Sequence, residues 1–217
     1  MEDAAYKLYL GISENAKDAI SFSKIITLLK NQPKLRTNKF SEANIDSPDI
    51  QEKLASSFKK GRQLKYPTLS VSPDDMAMSI IAECWFSVPK SDMVNFFNYH
   101  KQAMAAENII GAYLEAYIDS VLSNHGWIWC SGSIVNKVDF IKFEKGKLVK
   151  YLQVKCRDNT ENSSSQSVRD GTKIEKWFRM FSKTGKTNWG NFPDKKVKHL
   201  LCEKDFLTFL REKITRK

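Results

Sequence analysis

The chain has 217 residues, 41% of them hydrophobic and 28% charged, enough for one sizeable core and a subdomain. No uninterrupted apolar run approaches the roughly 20 residues of a membrane span, and the opening MEDAAYKLYL lacks the basic-then-apolar plan of a secretory signal. A cytoplasmic protein with no membrane association is expected. The net charge is +10, and it is unevenly spread: residues 1–140 carry 15 basic against 16 acidic side chains, residues 141–217 carry 20 against 9. A basic last third beside a neutral remainder points to a polyanion, most often nucleic acid, although surplus surface lysine accounts for it equally well.

In chain order, the first hundred residues read as mainly helical. Glu14 to Asn31 places Ala19, Ile20 and Ile26 at helical spacing. Residues 31–73, rich in Pro, Asn, Ser and Lys, are expected to hold loops and short helices. Pro73-Asp74-Asp75 opens a helix through Trp85, with acids in its first turn as the macrodipole favours. Ser91-Asp92 opens another that ends near Ala105. A stronger helix covers Ala106 to Ser123, where Ile110, Tyr113, Leu114, Tyr117 and Val121 make a core stripe. Asn124-His125-Gly126 ends it. The strand WIWC and the turn Ser131-Gly132-Ser133 follow. A hairpin comes next: Val138 to Phe143, a turn over Glu144 to Lys147, then Leu148 to Cys156. Thr172 to Lys183 reads as a helix with Ile174, Trp177, Phe178 and Phe181 on one face. Residues 203–217 read as a last amphipathic helix. This order predicts an α/β fold, a mixed central sheet flanked by helices, with a largely helical N-terminal part over 1–104 packed on a core over 105–217 as a single structural unit.

The cysteines, Cys84, Cys130, Cys156 and Cys202, form no Cys-x-x-Cys pair, and His100, His125 and His199 add no metal-ligand spacing. Zinc is not supported, and buried free thiols are expected. No Gly-rich loop precedes Lys-Ser/Thr, so no nucleotide cofactor is expected.

The hairpin carries the chemistry. Residues two apart on a strand share a face, so Gln153 and Lys155 point one way and Val154 the other. Thirteen residues separate Asp139 from Gln153, a span that a hairpin closes so that Asp139 meets Gln153 and Lys155 at a sheet edge. An acid, an amide and a lysine in that arrangement suit metal-assisted phosphodiester hydrolysis. Asp139, Gln153 and the backbone oxygen of Val154 would hold Mg²⁺, and Lys155 would orient water and offset phosphate charge. Glu115, on the preceding helix, is the expected further oxygen donor, with Glu107 second. Gly111 between them would let that helix approach the sheet closely. The plain alternative is that these are ordinary solvent-facing charges.

Gly111 to Lys155 resembles the core of the PD-(D/E)xK nuclease superfamily: Glu on the first helix, Asp on the second strand and x-Lys on the third. Val138 replaces the family's proline, and Gln153 stands where Asp or Glu is usual, although Gln-x-Lys variants occur, Mrr-like enzymes among them. FKKGRQLKYP, AENIIGAYLEAYI and VKCRDNTENSSSQSVRDGTKIEKWF are further similar to SinI-type restriction endonucleases. That resemblance implies a type II, Mg²⁺-dependent restriction endonuclease that cuts double-stranded DNA at GGWCC (W being A or T), leaves 5′-phosphates and acts as a homodimer, whose symmetry would match a near-palindromic site. The competing readings are an Mrr-like or junction/repair nuclease without short-site specificity, and a non-catalytic DNA-binding protein.

DNA contacts are expected from the basic last third. Lys173, Lys176, Arg179 and Lys183 would line the phosphates from one helix face. Arg157, Asn159, Asn162, Gln166 and Arg169, in the tract after Lys155, are the expected base-reading donors, Arg suiting guanine and Asn or Gln adenine. Arg62, Gln63 and Lys65 would clamp the other side. Lys183 to Phe192 is a second contact loop, with Trp189 more readily a packing residue than a stacking platform.

Overall fold

The protein is described by a computed structural model over residues 3–64, 66–158 and 174–215. Its helices are α1 (Ala4–Ser13), α2 (Ala16–Asn31), α3 (Pro48–Arg62), α4 (Met76–Phe86), α5 (Met93–Leu122) and α6 (Glu203–Thr215), and its strands are β1 (Trp127–Trp129), β2 (Phe140–Glu144), β3 (Lys147–Arg157) and β4 (Ile174–Met180). Compactness groups the chain differently from a boundary at 104/105: Met1–Leu64 with Leu114–Lys217 form one unit, Lys65–Tyr113 a second.

In the larger unit, α1 and α2 start at Asp3 and Asn15, whose side chains accept the N–H groups of Tyr6 and Asp18. Pro48 occupies the first turn of α3, where its missing N–H costs nothing. Within the tract expected to hold loops and short helices, this helix runs for 15 residues, because Leu54, Ala55 and Phe58 recur at helical spacing beneath a lysine-rich surface. Tyr9, Phe22 and Phe58 meet ring to ring at 5.3–5.6 Å and tie the three helices together. Ile128, Cys130 and Ile141 from the sheet complete this core.

Helix α3 also touches the turn after β1 with no side chain between them. A Cβ on Gly61 would lie 2.0 Å from the Gly132 nitrogen, and one on Gly132 would lie 2.1 Å from the Ser57 oxygen. Gly132 has φ +78°, a conformation that glycine adopts without strain. The Ser131 hydroxyl donates to the Phe58 carbonyl at 2.9 Å across the same seam.

The sheet has order β1-β2-β3-β4, antiparallel up to β3, with β4 parallel to β3. The β2–β3 hairpin turns at Lys145-Gly146, both at positive φ, close to the expected position. Its register shifts between Lys142 and Phe143. The face opposite α1–α3 is aromatic: Trp127, Trp177, Trp189, Phe192 and Phe206 form a run of ring contacts that Tyr117 of α5 joins. Within it, Lys142 is buried, with its Nζ 2.5 Å from Asp194 and 2.8 Å from Glu144, while Trp127 Nε1 donates to Asp194 at 3.0 Å. Burial opposes the charge of Lys142, but its bonds to Asp194 and Glu144 outweigh that and raise its pKa.

Within the segment read as a helix over 172–183, residues Ile174–Met180 instead form strand β4. Beside β3 it has sheet neighbours whose apolar requirements fall on both faces, so its hydrophobic residues do not alternate and mimic a helical stripe. The lysine–arginine row therefore does not exist. Lys176 and Arg179 point to opposite faces of the sheet, and Arg179 is buried in an ion pair with Glu203, stacked 5.1 Å from the Phe206 ring centre. Trp189 is a packing residue whose Nε1 donates to Glu203 at 2.9 Å.

In the second unit, the Asp75 side chain caps α4 by accepting the Ala77 N–H, and Lys101 pairs with Asp74 at 2.7 Å. The break expected near Ala105 is absent. The tract KQAMAAEN contains no glycine or proline, and α5 runs unbroken for 30 residues. No helix among the described residues is long and apolar enough to cross a membrane.

Candidate active site

Three elements build the site. Asp139 lies one residue before β2. Its N–H donates to the Leu152 carbonyl at 2.9 Å, its carbonyl accepts the Cys130 N–H at 2.8 Å, and its Oδ2 accepts the Val154 N–H at 2.7 Å. The carboxylate thus takes the place of a main-chain acceptor in the β2–β3 ladder. One step beyond the Phe140–Leu152 pair, Asp139 lies alongside Gln153. Strand alternation puts Gln153 and Lys155 on one face of β3 and the buried Val154 on the other. Glu115 comes from α5, its Oε2 held by Trp129 Nε1 at 2.7 Å.

The electrostatics tie these groups together. Burial is the main cause that pushes Glu115 up to about 8; the Asp139 charge adds to it, and the Trp129 hydrogen bond and Lys155 oppose it. Asp139 is also raised, first by burial, with the Val154 N–H and Lys155 pulling the other way. Two acids that repel each other and feel the same ammonium occupy one locus. Gln153 is buried, and its Oε1 has no hydrogen-bond partner among the described residues. An orphaned amide oxygen beside two carboxylates is an arrangement that a hard cation satisfies. Among the described residues no group of three His, Cys, Asp or Glu side chains is placed to hold a metal ion.

The structure brings Glu115, Asp139, Gln153 and Lys155 together. Glu107 is exposed and belongs to the second compact unit. Arg157 is exposed at the end of β3, and Lys183 is exposed after β4. Lys176 pairs with Gln153 across the parallel β3–β4 ladder and so shares its face. Arg62 is not presented to a ligand: it is held 2.9 Å from Asp119 and 3.2 Å from Asp18, over the rings of Phe58 and Trp129. Lys65, Asn159, Asn162, Gln166, Arg169 and Lys173 lie outside the described residues. The cysteines are free as expected, but Cys84 is exposed on α4 rather than buried. Sequence reasoning passed over Trp129. The signal was available in WIWC, since alternation puts both indoles on one face, where a tryptophan N–H needs a partner.

An antiparallel hairpin extended by a parallel strand, backed by helices on both faces and carrying acids and a lysine at its centre, has the make-up of a restriction endonuclease-like fold. The chain belongs to the SinI restriction endonuclease family, whose model matches residues 10–216. It is 45% identical over 161 residues to the type II restriction enzyme Eco47I of Escherichia coli, covering 74% of this chain and 70% of that one. It is 40% identical over 193 residues to the type II restriction enzyme SinI of Salmonella infantis, covering 87% and 84%. The protein is accordingly a type II restriction endonuclease, a hydrolase of DNA.

Proposed function

We propose that this is a cytoplasmic, Mg²⁺-dependent homodimeric enzyme of the PD-(D/E)xK type that cuts duplex DNA at GGWCC and leaves 5′-phosphates. The observation that carries the chemistry is that Asp139, Glu115 and Lys155 act on one another electrostatically while Gln153, in register with Asp139, holds a buried Oε1 with no partner among the described residues. The site preference is supported by the likeness to Eco47I and SinI over most of the chain.

The oxygens of Asp139, Gln153 and Glu115, with the Val154 carbonyl, would hold the ion. The chemistry that Mg²⁺ would supply there is polarisation of the phosphate and a more acidic water. The protein's own part is positional. The Val154 N–H fixes the orientation of the Asp139 carboxylate, and Trp129 fixes that of Glu115. Lys155 directs a water toward phosphorus and offsets the negative charge that builds on the phosphate oxygens. Lys176 and Arg157 supply phosphate contacts, together with Lys183 and the donors Asn159, Gln166, Arg169, Lys173 and Lys65.

The test is digestion of unmethylated DNA carrying one GGWCC site, with Mg²⁺, followed by sequencing of the fragment ends. Two discrete fragments ending at that site are expected from the native enzyme and none from Asp139→Ala. Cutting by Asp139→Ala at the native rate would refute the assigned chemistry. Fragment ends scattered away from GGWCC would refute the assigned site.

A further inference from the structure

Helix α4 is built like a buried helix and lies exposed. Its sequence MAMSIIAECWF has one charged residue, Glu83, and apolar residues around the whole circumference. Such a helix belongs inside a protein. Yet Ala82 is its one buried residue, while Met76, Ile80, Ile81, Trp85 and Phe86 are each at least half exposed, Trp85 at 81%. The adjoining stretch of α5 adds exposed Val94, Tyr99 and Met104. An 11-residue helix has little stability of its own in water, so packing must supply it.

Three observations identify what covers it. First, the tract outside the described residues, NTENSSSQSVRDGTK, holds one large apolar side chain, Val168, too little to cover this surface. Second, residues 65–113 carry three basic against five acidic side chains, while the rest of the chain carries 32 against 20. The exposed apolar surface therefore sits in a region without positive excess, unsuited to a DNA backbone and well suited to contact between two molecules that are each basic elsewhere. Third, at roughly 100 Å² for each large, mostly exposed apolar side chain, these eight residues offer about 800 Å² per chain, half of the ~1,600 Å² of a standard stable interface.

We infer that α4 and the first half of α5 form a two-fold interface with a second copy of this chain. The inference rests on the cleavage reading in one respect: each chain holds a single cluster of Asp139, Glu115 and Lys155, and a duplex has two strands to cut. The symmetric pairing places α4 against its own counterpart, an isologous contact in which each chain supplies the same surface.

Sedimentation in the absence of DNA tests it, with the native protein and an Ile80→Glu/Trp85→Glu double variant at micromolar concentration. Both side chains face water in the single chain, so the variant should keep its helical circular dichroism. The native protein is expected at twice the 25.0 kDa chain mass and the variant at the single mass. Cys84, on α4 beside Trp85 and exposed in one chain, supplies a second readout: maleimide should label it at least about tenfold faster in the variant, as expected for a thiol released from a buried contact. A native protein that sediments as one chain, or a variant that stays dimeric with Cys84 still protected, overturns the interface. A native dimer that fails to cut DNA leaves the interface standing and removes the cleavage reading; a native single chain that cuts at GGWCC does the reverse.

Discussion

The N–H of Val154 donates to Oδ2 of Asp139 at 2.7 Å, a side-chain bond in a position where the strand ladder would otherwise supply a main-chain acceptor. The residue that closes this contact lies between Gln153 and Lys155, so the same few ångströms of β3 orient the acid and present the amide and the ammonium.

Lys155→Met should leave this contact and the fold intact while removing the charge opposite the phosphate. A loss of about 10²- to 10⁴-fold in cleavage rate is expected, with little change in DNA affinity. Single-turnover cleavage beside a gel-shift titration checks it; equal losses in both would assign Lys155 to binding.

Gln153→Leu should separate stability from activity. The variant removes a buried oxygen that lacks a partner, so thermal stability without metal is expected to rise by about 1 kcal/mol while cleavage collapses. A fall in Tm would mean that Oε1 is already satisfied in the free protein.

Glu115 makes metal-free stability depend on pH. Its folded pKa is raised to about 8 from an unfolded value near 4.5, so the folded state binds the proton more tightly than the unfolded state. Stability is then greatest below the unfolded pKa and declines as pH rises through the window up to about 8. Glu115→Gln should flatten that part of the Tm-versus-pH curve. Metal affinity should rise with pH over the same interval, since the carboxylate must lose its proton to bind.

Trp129→Phe removes the N–H that favours the ionised form of Glu115. The alkaline shift of Glu115 should grow, moving the pH at half-maximal cleavage upward while activity at high pH is largely retained. An unmoved profile with uniformly lower activity would mark Trp129 as a packing residue alone.

Lys142→Met tests the far side of the sheet. It leaves Asp194 buried without its ammonium, which should destabilise the fold by about 3–5 kcal/mol. Lys142→Met paired with Asp194→Leu should recover much of that loss in urea unfolding.

How much of this could be read in the residues depends on whether a segment has one buried face or two. Helix α2 has a dominant buried side, so the spacing of Ala19 and Ile26 reports it directly; β2 and β3 are buried on both faces around Phe140–Lys142 and Leu152–Val154, and the turn at Lys145-Gly146 is what makes the hairpin legible. Strand β4 has neighbours to satisfy on both faces, and Ile174, Trp177 and Phe178 then fit a helix as well as a strand. The error carried Arg179 with it, because placing its guanidinium against Glu203 requires α6, which starts 24 residues later in the chain. Arg62 was misplaced for the same reason: Asp119, 57 residues away, is the partner that turns it inward. Local pattern reports which side chains share a face, and only the folded chain reports what each face meets.

The glycine seam between α3 and the turn after β1 bears on catalysis from outside the reacting groups. Arg62 follows Gly61 directly and lies 5.4 Å from the Trp129 ring centre, and that indole holds Glu115. A methyl group at residue 61 would wedge the helix away, loosen the guanidinium from the indole and let the carboxylate drift. The rate of DNA scission should thus depend on two absent side chains that touch neither nucleic acid nor metal, and an alanine at residue 61 should cost turnover well before it costs solubility.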